Sequence, residues 1–127
     1  MSVADFISST VLDRLDTNTA QELEDLTLEP FPISRGDSIT DLSIDNLDDA
    51  TILKWSGSRF ESQHLIKHVK LASLDEDKVK SIHERLVDRW SEIEGFEARG
   101  HEMHHRILSG QSVSKGLAED VFDNLGP

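Results

Sequence analysis

Apolar and polar residues alternate at helical spacing in the first part of the chain. Ser2 and Asp5 have the spacing of a capping box, in which each side chain bonds the other residue's backbone, and they predict a helix start. Apolar residues then recur every three or four positions: Phe6, Ile7, Val11, Leu12, Leu15. Thr19 and Glu22 repeat the capping spacing and predict a second short helix, which ends before Pro30. The pattern therefore predicts two short N-terminal helices.

The middle of the chain has the two-residue alternation that is typical of strands. It is interrupted by a run with good hairpin-turn chemistry, Ser56-Gly57-Ser58-Arg59. Leu65, Val69 and Leu71 would share one face of a following strand. This interpretation predicts a small antiparallel sheet or hairpin. The alternative is all-α, with helices over 46–55 and 61–72, because short apolar runs fit either structure.

One long amphipathic helix is predicted from about 74 to 109. Ser73 and Glu76 have capping-box spacing at its start. A three-four alternation then defines a seam: Val79, Ile82, Leu86, Arg89, Ile93, Phe96, Gly100, Met103, Ile107. Gly100 is the expected bend, since glycine weakens a helix interior. The seam packs along the domain or, alternatively, against a second copy as a homodimer.

A short C-terminal helix is predicted over 114–124, with Leu117, Val121 and Leu125 on one face. Trp55, Trp90 and Phe96 are expected to be anchors of the core. With 127 residues the chain fits a single domain over 1–127. The elements together predict an α+β fold.

Charge narrows the range of functions. The chain has 25 acidic and 13 basic residues, a formal net charge of −12. Residues 1–50 hold twelve of the acids against only Arg14 and Arg35, a net charge of −10. Such a field repels nucleic acid and anionic membranes and favours a protein partner with a basic surface. We therefore expect no direct nucleic-acid binding and no membrane association.

The sequence contains no cysteine, so it has neither disulfides nor thiolate ligands, which is typical of a reducing compartment. No apolar run is long enough for a membrane span. We therefore predict a cytoplasmic, non-enzymatic interaction module such as an inhibitor, an immunity protein or a nucleic-acid mimic. The predicted partner-binding residues are acidic: Asp41, Asp45, Asp48, Asp49.

The run His101-Glu102-Met103-His104-His105 fits the pattern H-E-x-x-H. In these five residues the chain resembles the zincin metallopeptidases. The resemblance implies that His101 and His105 bind zinc and that Glu102 is the general base that activates a metal-bound water. A zinc-dependent hydrolase is therefore the alternative function.

The zincin pattern is incomplete in this sequence. A third ligand is required, and only Glu119 or Asp120 on the last helix could supply it; Glu119 is the predicted ligand. Leu108 stands where the metzincin continuation has glycine. On the predicted seam, His101 and His105 would lie on an outer face of the long helix. The leading prediction therefore includes no cofactor and no catalytic residue.

Overall fold

The computed structural model describes residues 2–37 and 39–125, with the side chains of residues 124 and 125 left out. It is 65% helical and 8% strand, so the predicted α+β class is confirmed and the all-α alternative is wrong. The chain divides into two compact units, Met1–Asp75 and Glu76–Pro127. The single domain over 1–127 stays a prediction. Over the described residues, no helix has the length and apolar character needed to cross a membrane.

The first unit begins with the two predicted helices, α1 (Val3–Thr10) and α2 (Thr17–Thr27), joined through a short 3-10 helix at Leu12–Arg14. The capping box at Ser2 and Asp5 is present in full. The N-cap of α2 is Asp16 rather than Thr19, because the Asp16 carboxylate accepts the backbone N–H of Thr19 at 2.8 Å.

A three-stranded antiparallel sheet follows, with the order β1-β3-β2. Its strands are β1 (Ile33–Ser34), β2 (Leu53–Ser56) and β3 (Arg59–Ser62). The β2–β3 hairpin confirms the prediction, and Gly57 at its turn has φ 65°, which glycine adopts readily. The helix α3 (Asp41–Asp49) lies between β1 and β2 in the chain and is N-capped by Thr40.

The strand predicted after the hairpin is wrong, because His64–Ala72 forms a helix, α4. Ile66 and Val69, three positions apart, are its buried residues, whereas Leu65 is 53% exposed. One helical turn therefore accounts for the apolar spacing better than a strand face does.

The core of the first unit joins its helices and its sheet. Its large apolar side chains include seven that are each at most 2% exposed: Leu23, Leu26, Ile33, Ile44, Leu47, Ile52, Phe60. Trp55 was predicted to belong to the core but is 37% exposed. On β2, Leu53 is buried whereas Lys54, Trp55 and Ser56 are all exposed.

The second unit contains three helices, α5 (Glu76–Ser91), α6 (Phe96–Ser109) and α7 (Lys115–Leu125). The prediction of one long helix over 74–109 is wrong, because the helix is interrupted at 92–95. Ile93 donates its backbone N–H to the carbonyl of Trp90 at 3.1 Å, a tighter turn than an α-helical one, and Gly95 has φ 112°. Gly100, the predicted bend, lies inside α6. The C-terminal helix is confirmed.

The interruption changes which face of α6 is buried. Its buried residues are Ala98 and four with polar side chains: His101, Glu102, His105, Ser109. Phe96 and Ile107, both on the predicted seam, are 49% and 59% exposed. The predicted outer position of the histidines is therefore wrong. The predicted seam assumed one continuous helix. Because the helix is interrupted, the seam assigns the residues after 95 to the wrong helix face. The homodimer stays a prediction, without the continuous helix on which it was based.

Candidate functional site

The H-E-x-x-H residues lie in the middle of α6, against α5. The His101 ring stacks on Trp90, with ring centroids 4.0 Å apart and planes within 8°. One turn further along α6, His105 contacts His83 of α5, which lies two turns before Trp90. These two pairs show that α5 and α6 run antiparallel. The structure thus brings His101 and His105 together, with ligand nitrogens within 4.8 Å.

Glu102, the proposed general base, is held between two arginines of its own helix. Its Oε2 lies 2.8 Å from Arg106 Nε and its Oε1 3.3 Å from Arg99 Nε. Arg99 also donates to backbone carbonyls at the end of α5, those of Trp90 and Ile93. Both carboxylate oxygens are therefore engaged in ion pairs, an arrangement that stabilises the α5–α6 connection and does not favour proton transfer from a metal-bound water.

Glu119, the predicted third ligand, lies on α7, and its side chain is 57% exposed. Its carboxylate is 3.7 Å from the Lys115 ammonium, four residues earlier on the same helix. Among the described residues, no group of three clustered metal-ligand candidates includes Glu119. The structure therefore does not bring Glu119 to the histidine pair.

Another set of histidines is also clustered. His83 Nδ1 lies 2.7 Å from His105 Nδ1, and both side chains are buried. His104, half-buried, places its ring centroid 5.8 Å from that of His83 and 5.1 Å from that of His105. Each of the three offers a ligand nitrogen within 4.8 Å of the others. His83 was not predicted as a ligand, because it belongs to no sequence motif. Its only distinction in the sequence is that it follows Ile82, a residue of the predicted seam.

The four predicted partner-binding residues lie on the outer face of α3. All are exposed: Asp41, Asp45, Asp48, Asp49. Leu42, on the same face, is 71% exposed. The inner face of α3 holds Ile44 and Leu47, which are fully buried. The helix therefore presents its carboxylates outward because its apolar residues fix its rotation.

Two residues outside α3 contact three of these four carboxylates. Trp55 Nε1 donates a hydrogen bond to Asp48 Oδ1 at 2.8 Å. Arg35 lies 2.9 Å from Asp45 and 3.4 Å from Asp41, and its guanidinium is 5.7 Å from the Trp55 ring centroid. The hydrogen bond to Asp45, chiefly, raises the pKa of Arg35 above its ordinary value. We call this surface, the four aspartates with Leu42, Arg35 and Trp55, the α3 patch.

Other N-terminal acids have structural contacts. Buried Glu22 accepts hydrogen bonds from the Thr40 backbone N–H at 3.2 Å and from the Thr40 hydroxyl at 2.9 Å. Asp37 accepts the backbone N–H of Ser34 at 2.8 Å, and Glu24 pairs with Lys70 at 3.6 Å. The N-terminal excess of acid is therefore partly internal. Asp5, Asp13 and Asp16 are exposed as well, but the α3 patch holds four exposed aspartates on one helix.

An open groove of about 510 Å³ lies beside α3 in the first unit. It is lined by residues from the end of α1, the connection to α2, and α3: Thr10, Val11, Arg14, Leu15, Asp16, Asn46, Asp49, Ala50. Asp49 belongs to both the groove and the α3 patch. The two features therefore form one continuous surface.

The chain matches no protein-family model, no curated protein and no solved structure.

Proposed function

We propose that this chain is a non-enzymatic protein-interaction module whose α3 patch binds a partner with a basic surface. The observation that carries the proposal is the exposure of four aspartates on one face of a short helix. Two of them, Asp41 and Asp45, have side chains that are 75% and 62% exposed. Four carboxylates stand against one guanidinium, that of Arg35, so the patch is strongly negative.

Contacts within the patch favour binding by a preformed surface. Trp55 is fixed by Asp48 and Arg35 rather than left to rotate freely. Ordering side chains before association lowers the entropy cost of binding. Tryptophan and arginine are also the residues most enriched in binding hot spots. An exposed indole beside ordered carboxylates therefore suits a partner that presents lysine or arginine next to an apolar group.

The charge of the whole chain supports the same partner class. A negative field accelerates encounter with a basic surface and repels nucleic acid and anionic lipid. Inhibitors, immunity proteins and nucleic-acid mimics all use this kind of complementarity. The proposal includes the cytoplasmic location predicted from the cysteine-free sequence. The zinc-hydrolase alternative stays a prediction, and the two ion pairs of Glu102 do not favour it.

Charge reversal with a matched control tests the proposal. The test variant carries Asp45→Lys, Asp48→Lys and Asp49→Lys. The control carries Glu84→Lys, Asp88→Lys and Glu92→Lys, which are exposed residues of the second unit and give the same change in net charge. Each protein is used to capture partners from cell extract, and the captured partner is then purified and titrated.

We expect the control to keep the partner and the test variant to lose it, with a Kd at least about tenfold higher, as for loss of close charge pairs. Equal loss in both variants would show that net charge alone is responsible. Retention by the test variant would show that binding does not use α3. Either result overturns the proposal.

A further inference from the structure

We propose that His83, His104 and His105 form a binding site for a divalent transition-metal ion of the zinc class. The inference is independent of the partner-binding proposal, since it concerns other residues and another ligand. It is also distinct from the H-E-x-x-H set, with which it shares only His105. The observation is that the three side chains offer ligand nitrogens within 4.8 Å of one another.

The helices supply this arrangement from two sides. His83 projects from α5, and His104 and His105 project from the antiparallel α6. Consecutive residues on one helix diverge, yet the His104 and His105 rings lie edge to face with centroids 5.1 Å apart. His83 completes a triangle, at 5.8 Å from His104 and 5.0 Å from His105. Three imidazoles on two packed helices are therefore close enough to share one ion.

The short contact between His83 and His105 is what an ion would replace. Two Nδ1 atoms 2.7 Å apart hold one proton between them, so at least one of the two atoms acts as an acceptor. Two nitrogens bound to tetrahedral zinc at about 2.0–2.1 Å are about 3.3 Å apart. A side-chain adjustment of roughly half an ångström therefore converts the hydrogen bond into a ligand pair, provided that the Nδ1 proton moves to Nε2 of the same ring, so that each neutral imidazole keeps one N–H.

The ligand type selects the class of metal. Imidazole nitrogen suits zinc, copper, nickel and cobalt, whereas calcium and magnesium prefer oxygen ligands. Three histidines leave one position of a tetrahedral ion for water or another ligand. His104 is the half-buried member of the set, whereas His83 and His105 are 3% and 0% exposed. An ion would therefore reach the site on the side of His104.

The chain contains another pair of adjacent histidines, and a metal-binding experiment must distinguish binding at that pair from binding at the proposed site. His64 and His68 lie one turn apart on α4, both exposed, with Nε2 atoms 3.0 Å apart. Such a pair can bind metal at the surface with two ligands. The reference protein therefore carries His64→Gln and His68→Gln, which remove the surface pair and leave the remaining four histidines in place.

The experiment titrates zinc into metal-free reference protein by calorimetry and compares two single variants. His104→Gln removes a proposed ligand that is only half-buried. His101→Gln removes the H-E-x-x-H ligand, whose ring stacks on Trp90, and keeps the proposed three. We expect one zinc per chain in the reference protein, affinity lower by at least about tenfold in His104→Gln, and a change below about threefold in His101→Gln.

A second measurement does not depend on variants that could misfold. Nitrogen NMR of the imidazole rings in the reference protein reports directly which rings bind the ion. We expect zinc to shift the ring nitrogens of His83, His104 and His105 and to leave those of His101 nearly unchanged. Absence of stoichiometric zinc, shifts at His101 and His105 without His83, or equal losses in the two single variants would each overturn the proposal.

Discussion

The indole of Trp55 donates its N–H to the carboxylate of Asp48 at 2.8 Å, which links the β2–β3 hairpin to the outer face of α3. The same ring lies under the guanidinium of Arg35, which is also bound to Asp45. Because these contacts join loop, hairpin and helix, the acidic surface is a built structure. Its side chains are held in place by specific contacts as well as being close together.

Substitutions at Asp48 separate its hydrogen bond from its charge. Asp48→Asn keeps an oxygen that accepts from Trp55, so we expect unchanged stability and weaker binding of a basic partner. Asp48→Ala removes the acceptor and should lower the free energy of unfolding by about 1 kcal/mol or less. Hydrogen exchange of the Trp55 indole N–H checks this, with faster exchange expected only in Asp48→Ala. Equal exchange in both variants would contradict the assigned contact.

Arg99 is expected to stabilise the second unit. Its guanidinium donates to the carbonyls of Trp90 and Ile93 and pairs with Glu102, so Arg99→Ala leaves polar groups at the α5–α6 connection without these contacts. We expect the free energy of unfolding to fall by about 2 kcal/mol. Urea unfolding followed by Trp90 fluorescence, in a Trp55→Phe background, measures the effect on this unit. An unchanged midpoint would contradict the role of Arg99.

Gly95 is expected to be required where α5 and α6 are joined. Its φ of 112° is strained for any other residue, so Gly95→Ala should destabilise the protein by about 1 kcal/mol or more. Gly116 is the matched control, because it lies in the first turn of α7 and a methyl group added there would meet open space. Gly116→Ala should be neutral or stabilising by up to about 1 kcal/mol. Thermal unfolding compares the two, and equal shifts would contradict the assigned break.

Asp16 gives the first unit a defined dependence on pH. The backbone hydrogen bond from Thr19, above all, lowers the pKa of Asp16 below its ordinary value of 3.8. Its contribution to stability is therefore fully present above 3.8 and is lost as the pH falls through the lower, folded-state pKa. In Asp16→Asn, the free energy of unfolding, measured as a function of pH, should therefore fall less steeply below pH 3.8. The same pH dependence of the free energy of unfolding in both proteins would contradict the role of Asp16 as N-cap.

The sequence predicted the elements whose signals are local. The capping box at Ser2, the hairpin turn at Gly57 and the C-terminal helix are each defined by a few neighbouring residues, and all three are present. The strand expected over 65–71 failed because its apolar spacing fits both periods. The helix is favoured because it buries both Ile66 and Val69 in the core, and the sequence does not reveal this tertiary packing.

The predicted candidate site depended on the phase of one helix, and that phase was wrong. Nothing in the seam spacing indicated that α5 would end at Ser91 or that Gly95 would precede a new helix. Once α6 starts again at Phe96, His101 and His105 face α5. The partners of a buried histidine lie on another helix, so His83 could not be found from spacing alone.

The salt dependence of partner binding tests the central claim most directly. The Kd of the purified partner is measured as the ionic strength is raised from about 0.01 M to about 0.15 M, which shortens the Debye length from about 30 Å to about 8 Å. We predict that the Kd rises by at least about tenfold, and that the variant Asp45→Lys, Asp48→Lys, Asp49→Lys loses this dependence while the second-unit control keeps it. A Kd that is indifferent to salt, or equally salt-dependent in both variants, would contradict binding through the α3 patch.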